Sequence, residues 1–284
     1  MMIRQAKRIA KQARRIMQGP RIGRRALEAA LHRLGVQNGG ILLAHSSLAA
    51  LGFVVGGPKT VIGALLDAIG PKGTLVFPTH TWEWVDSGCR IFDVCNTKCC
   101  VGAIPEAFRS FPGMLRSLHP THSVAAVGPE AKWLINGHEH SPTPCGEGTP
   151  YARLLERDGQ ILLLGTGLQS NTAFHTIEAL VEARYLLRDE PDEFTIIDQF
   201  GRKHSVSVRC HLPGVARCFP AMESMLLNQG IAKKGRVGSG PALLIAGLAF
   251  RNVMMRALQE TPTLLLATAL DDQASRQSGE VLLE

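Results

Sequence analysis

No stretch of this sequence is apolar enough for long enough to cross a bilayer; the strongest candidate, residues 241–250, is far too short. The basic start is not followed by a continuous apolar region, so it does not read as a secretory leader, and a cytoplasmic protein is the expectation. Acidic residues are missing from residues 1–25, which hold nine Lys or Arg. The other 259 residues carry 22 basic and 24 acidic residues, so the formal charge of +7 belongs to the N-terminal end. A near-neutral body gives no ground for nucleic-acid binding. The seven cysteines are an odd number, with Cys99 and Cys100 adjacent, which does not describe a disulfide framework. There is no internal repeat, no G-x-G-x-x-G and no Gly-Lys-Ser/Thr of a P-loop.

What is present suits an enzyme with a sizeable core. The 284 residues are 45% hydrophobic and 19% charged, which excludes a wholly disordered chain. Residues 2–17 place apolar side chains at helical spacing between basic ones, and Gly19-Pro20 ends that pattern. A basic amphipathic helix of this kind docks on its own domain, on a second subunit as in a homodimer, or weakly on an anionic membrane surface. From residue 26 apolar runs alternate with helical patterns. Strands are predicted over 41–45, 73–79, 123–127 and 161–166, and helices over 59–69, 104–111 and 172–185. Residues 193–197 and 203–210, joined by Asp198-Gln199-Phe200-Gly201, predict an antiparallel hairpin, and helices over 215–228 and 241–258 close the pattern. The expected fold is an α/β three-layer sandwich with a mixed, largely parallel central sheet covered by helices. Residues 1–25 form the basic N-terminal helix, 26–270 a single α/β domain and 271–284 a polar tail. Residues 87–101 are the least regular part of the body and read as a long loop over a site.

Three segments carry chemistry. His45-Ser46-Ser47 ends a buried strand and runs through Gly56-Gly57-Pro58 into a helix, a place where hydroxyls, flexible glycines and a helix N-terminus can cradle an anion. An ordinary turn is the alternative. Arg116-Ser117, with His119, His122 and Ser123 following, offers a guanidinium and hydrogen-bonding groups suited to a phosphate. His119 and His122 read more readily as satisfied loop residues than as metal ligands. The third segment, Asn171-Thr172 to His175 and Glu178, opens a helix after a strand. Its histidine and carboxylate are three residues apart and share a helix face, the arrangement of a general base with its orienting acid; a capped helix with a buried histidine fits equally.

Taken in order, H-S-S-L-x-x-L-G-x-x-x-G-G, G-T-L-x-x-P-T, R-S-x-H-P-x-x-S and N-T-x-x-H-x-x-E resemble the aminoglycoside 3-N-acetyltransferase family, also called antibiotic N-acetyltransferases, over residues 26–258. The resemblance implies an α/β fold distinct from the GCN5-related acetyltransferase fold, whose Arg/Gln-x-x-Gly-x-Gly/Ala loop is missing here. It implies acetyl-CoA as co-substrate, an amine-bearing sugar as acceptor and a role in antibiotic resistance or biosynthesis. Ser46, Ser47, Gly56 and Gly57 would then lie at the coenzyme A phosphates, helped by Arg116, Ser117 and Ser123. His175 matches the family's catalytic histidine and Glu178 the acid of the same motif. Asp86 and Glu106, with Glu83 and Asp93, are candidates for holding a cationic acceptor.

The expected mechanism is direct transfer, with His175 as general base and no metal. One alternative is a ping-pong route through an acylated Cys145 or Cys100. Another is a coenzyme A or small-molecule binding protein without catalysis. His211, His119 and His122 are the next candidates for the base. Cys89, Cys95, Cys99 and Cys100, spaced C-x5-C-x3-C-C, lack the paired C-x2-C hooks of common zinc modules, so no zinc clasp is expected.

Overall fold

In the computed structural model, which describes residues 20–267, the apolar runs become buried strands. In chain order the strands are β1 (Arg21–Ile22), β2 (Ile41–Ser46), β3 (Phe53–Val54), β4 (Thr74–Pro78), β5 (Ile91–Asp93), β6 (Leu115–Arg116), β7 (Val124–Val127), β8 (Gln160–Leu164), β9 (Asp192–Ile197), β10 (Lys203–Val208), β11 (Ala232–Val237) and β12 (Gly240–Ala246). Seven of them form the central sheet in the order β11-β12-β8-β2-β4-β7-β6.

Side-chain alternation along the inner strands sorts the core into two layers. Ile41 and Leu43 of β2, Ile161 and Leu163 of β8, and Leu243 and Ile245 of β12 pack with the helices Pro150–Glu156, Ala173–Leu180 and Gly247–Glu260. Leu42 and Ala44, Leu162 and Leu164, and Ala242 and Leu244 face the opposite layer, built on the helices Arg24–Leu34 and Pro58–Ile69. Because both faces are covered, the inner strands are apolar throughout and not alternating, as expected for the middle of a three-layer sandwich. None of the described helices is long and apolar enough to cross a membrane.

Several expectations need correction. The sheet is mixed, but parallel pairing is confined to β2 with its neighbours β8 and β4; β7, β6, β12 and β11 all join antiparallel. Residues 241–246, read as the start of a helix, are β12, an inner strand between β11 and β8. A short continuous apolar run has the same periodicity in a buried strand as in a buried helix. The helix begins only at Gly247, where a side chain would collide with the carbonyl of Gly159. The hairpin over β9 and β10 is present but stands outside the central sheet, in a three-stranded sheet with β5. Residues 87–101 are thus only partly a loop.

The helix expected over 172–185 stops at Leu180, and the one over 215–228 is reduced to a 3-10 turn, Phe219–Met222, and a short helix, Glu223–Asn228. The division after residue 25 falls inside the helix Arg24–Leu34, and β1 pairs with β3, so residues 20–25 pack as part of the body. Arg24 also pairs with Asp67 at 2.5 and 2.6 Å. The expected helix over 2–17 and the tail over 271–284 lie outside the described residues.

Candidate active site

The parallel strands β2, β4 and β8 point the same way, so their carboxyl ends meet at one edge of the sheet, the usual site of ligand crevices in open α/β folds. A cavity of about 1150 Å³ opens there, and Ser46, Ser47, Pro78, His80 and Thr166 from those three ends line it. Pockets for drug-sized ligands measure about 300–1000 Å³, so this cavity stands just above the upper end of that range. Its other wall comes from residues flanking the three-stranded sheet: Val85, Asp86, Cys100, Arg188, Cys210 and His211.

Part of the segment expected to cradle an anion is brought to the cavity. Ser46, Ser47 and Gly57 line the cavity, and Gly57 caps the helix Pro58–Ile69, whose first residue is the proline that tolerates the missing N–H. Gly56 stands just behind, at φ 82, with its missing side chain replaced by Thr60 Oγ1. The backbone N–H groups of Ser47 and Gly57 are spent on Leu164 and Val54 carbonyls, so these two are not left to a ligand. Ser46 Oγ, His45 Nε2 and Asn171 Nδ2 are all buried on this wall without a partner. Buried polar atoms are almost always satisfied, and three open ones on one cavity wall mark a place where a ligand completes the bonding.

The proposed base and its acid sit on the helix Ala173–Leu180, which begins just past the end of β8. Asn171 Oδ1 accepts from the Ala173 N–H at 3.1 Å and starts that helix. His175 lines the cavity with its side chain 20% exposed, while Glu178 is 0% exposed. Their i,i+3 spacing brings His175 Nδ1 to 2.6 Å from Glu178 Oε2. An ionised carboxylate accepts only, so in the neutral imidazole Nδ1 is the nitrogen that carries the proton and Nε2 the one with the lone pair. Glu178 is held in turn by Arg217, whose Nε lies 2.9 and 3.2 Å from the two carboxylate oxygens.

A row of imidazoles continues from His175. Ring centroids are 4.5 Å apart from His175 to His211, 4.6 Å from His211 to His122 and 4.5 Å from His122 to His80. His80 Nε2 lies 2.6 Å from the Tyr151 hydroxyl. Burial, reinforced by the neighbouring imidazoles, holds His80, His119, His122 and His211 well below the ordinary histidine value; burial alone lowers His45 to about 3. These rings are therefore neutral at neutral pH and serve as hydrogen-bonding and packing surfaces.

Four expected ligand contacts are not made. Arg116 is buried away from the cavity and donates to Thr79 Oγ1, Ser123 Oγ and the carbonyls of Val94, Thr97 and Thr79 at 2.7–3.1 Å. With its donors spent on protein acceptors and its guanidinium 4.8 Å from the Phe92 ring centroid, it ties β6 to the three-stranded sheet and has nothing left for a phosphate. Ser123 Oγ donates to the Thr79 carbonyl, and Ser117 Oγ accepts from the Val124 N–H while bonding His138 Nδ1. Glu106 is taken up by Arg109 and the Cys99 N–H, whereas Asp86 does line the cavity.

The cysteine alternatives lose their footing. Cys145 is fully buried, and burial pushes its thiol well above the ordinary value; Cys100 touches the cavity, but burial raises its thiol too and its Sγ donates to the His80 carbonyl. Sequence reading missed Arg217 entirely, since nothing in spacing relates it to a glutamate 39 residues earlier. Asn171 stood within the quoted motif but was given no role.

Known proteins resemble this chain in sequence and in fold. The profile of the aminoglycoside 3-N-acetyltransferase family matches residues 43–259. The aminoglycoside N(3)-acetyltransferase IX of Micromonospora chalcea is 33% identical over 256 residues, covering 80% of this chain and 89% of its own. Among solved structures, aminoglycoside acetyltransferase AAC(3)-IVa in complex with gentamicin aligns with a TM-score of 0.76 and 30% identity, over 88% of this chain and 93% of that one. AAC-IIIb, solved as a binary complex with CoASH, gives a TM-score of 0.74 and 26% identity over 85% and 97% of the two chains. With a family match over most of its length, a relative alike across nearly all of its own, and the same mixed three-layer fold, this chain belongs to the aminoglycoside 3-N-acetyltransferase family and is an N-acetyltransferase.

Proposed function

We propose that the protein transfers the acetyl group of acetyl-CoA directly to an amine of an aminoglycoside or amino-sugar acceptor, with His175 as general base. The observation that carries this reading is the His175–Glu178–Arg217 chain, which leaves one imidazole nitrogen free at the cavity. The acceptor amine loses a proton to His175 Nε2 as its nitrogen attacks the thioester carbonyl. Glu178 fixes the tautomer and stabilises the imidazolium, and Arg217 holds Glu178 in place. Asn171 Nδ2, which lacks a partner just before the helix that carries His175, supplies a donor for the carbonyl oxygen as negative charge builds on it. The tetrahedral adduct collapses, the carbon–sulphur bond breaks, and the proton held by His175 passes to the departing thiolate. Coenzyme A phosphates sit at the cradle of Ser46, Ser47 and Gly57. No step is given to a metal ion or to a cysteine.

Among the described residues the lining contains a single carboxylate, Asp86, set against Arg188 and several neutral imidazoles. That supports an acceptor with few positive charges, an amino sugar more than a polyamine-like aminoglycoside. The test is an acceptor screen with acetyl-CoA, following thiol release over aminoglycosides, nucleotide-linked amino sugars and simple amines. Sequential initial-rate patterns with a sugar amine are expected. Ping-pong patterns would favour an acylated enzyme, and acetyl-CoA binding without turnover of any amine would leave only a binding protein.

A further inference from the structure

Among the described residues, one group of three metal-ligating side chains comes together: His122, Cys145 and His211, whose ligand atoms all lie within 4.8 Å of one another. His122 sits in the loop before β7, Cys145 in the turn that precedes the helix Pro150–Glu156, and His211 just past β10. Nothing in the acetyl-transfer reading uses them. We propose that these three side chains form a binding site for a zinc-class divalent cation at the floor of the cavity, and that its occupation blocks acetyl transfer.

The donor set is what such an ion prefers. Two imidazoles and one thiolate are borderline-soft ligands that favour zinc, and cobalt as its spectroscopic substitute, over magnesium or calcium. His211 Nε2 is buried and has no hydrogen-bond partner, the open valence expected of an unused ligand. His122 is oriented from behind: its Nδ1 lies 2.9 Å from Thr121 Oγ1, which leaves Nε2 to point at an ion, the usual arrangement of a metal-binding histidine with an outer partner. Both imidazoles are neutral, so no proton has to leave them. The Cys145 thiol is protonated without an ion; on binding, its S–H bond breaks, a sulphur–metal bond forms and one proton passes to solvent.

Zinc–nitrogen and zinc–sulphur bonds of about 2.0–2.3 Å place tetrahedral ligand atoms about 3.3–3.7 Å apart, so the three groups close in by roughly 1 Å on binding. Side-chain rotation covers that distance: His122 and His211 line open space, and Gly146 follows Cys145 directly. Three protein ligands leave a fourth position vacant. Since Cys145 lies beneath the wall and the two histidines form part of it, that vacancy faces the cavity. The His211 ring centroid is 4.5 Å from that of His175, so an ion with its bound water stands where the acceptor amine must approach the base. Blockage in this form rests on the assignment of the base; binding of the ion does not.

The experiment separates the two. Full-length protein carrying serine at the loop cysteines Cys89, Cys95, Cys99 and Cys100 is stripped with chelator and titrated with cobalt(II). Thiolate-to-cobalt charge transfer and tetrahedral visible bands are expected, saturating near about one equivalent, and disappearing in Cys145→Ala. X-ray absorption of the zinc form of the same protein is expected to show one sulphur and two imidazoles, a readout that holds even if Cys145→Ala fails to fold. In acetyl-transfer assays zinc should inhibit, chelator should restore the rate, and Cys145→Ala should raise the inhibitory zinc concentration by at least about tenfold, the usual effect of losing a ligand or its support. No thiolate–cobalt band, a band that survives Cys145→Ala, or a zinc shell without sulphur would overturn the site. A bound ion that leaves the rate unchanged would overturn the blockage.

Discussion

Arg217 Nε donates to both oxygens of Glu178 from a segment 39 residues further along the chain, and no solvent reaches that carboxylate. Its other partner is His175, so removing Arg217 leaves a buried charge with a single neutral donor. Arg217→Met is expected to cost about 3–5 kcal/mol of stability, the usual penalty for half of a buried pair. Glu178→Gln combined with Arg217→Met should recover part of it, because no charge is then stranded. Denaturant melts of the two variants check this; a single variant as stable as the parent would sink it.

His175→Ala is expected to lower kcat by about 10²–10⁴-fold, the usual share of a general base. If acetyl-CoA is held mainly at the proposed β2 cradle, its KM should move less than about tenfold. Glu178→Gln should slow the reaction less, since the base remains and only its tautomer is freed. Raising the pH should partly rescue His175→Ala by supplying deprotonated amine. A folded variant with near-normal kcat at neutral pH would transfer the role elsewhere along the row of imidazoles.

Arg116→Met distinguishes a structural guanidinium from a phosphate ligand. Five hydrogen bonds to buried acceptors are lost, leaving several carbonyls unsatisfied, and the melting temperature should fall by several degrees. The KM for acetyl-CoA of the folded variant should stay within about twofold. A selective rise in that KM, with stability unchanged, would restore the phosphate role.

Asp86→Asn removes the one carboxylate that lines the cavity among the described residues. If acceptors carry a single positive charge near it, kcat/KM should fall by about tenfold for amines that reach Asp86 and stay unchanged for neutral ones. Equal loss for charged and neutral acceptors would show that Asp86 shapes the wall and does not read charge.

His45 and His138, fully buried, have folded values of about 3, against about 6.5 for an unfolded imidazole. Below about pH 6.5 the unfolded chain takes up protons that the folded chain refuses, so stability is full above that pH and falls as pH drops towards 3. From pH 7.5 to 5 each ring accounts for about 2 kcal/mol of loss. At roughly 2–4 °C per kcal/mol, the melting temperature should drop by about 8 °C or more. His138→Gln should flatten that dependence; identical melting at the two pH values would contradict it.

Much of this was legible because the inner strands and the His175–Glu178 pair use local patterns. The runs at 41–46 and 160–164 are apolar and bounded by turn formers, and the His175–Glu178 spacing is a helix property readable from two letters. Strand direction is not local: β7 has the composition of a parallel strand yet runs antiparallel to β4. The Gly238-Ser239 turn between β11 and β12 was the available sign of the missed hairpin, overlooked because the apolar run after it continues into a helix. Arg116 misled for a related reason. A basic residue beside serines and histidines suits a phosphate, but composition says nothing of which way the guanidinium turns, and here the protein's own carbonyls reach it first.

The cavity has two walls of different origin, and that division has an evolutionary reading. The proposed base, acid and cradle stand at the carboxyl edge of the seven-stranded sheet, while Asp86, Arg188 and His211 flank the small sheet of β5, β9 and β10. Insertions or exchanges in the small sheet can change which amine is admitted while leaving the acetyl-transfer apparatus untouched. Acceptor range in such a protein can drift quickly under selection while its chemistry stays still.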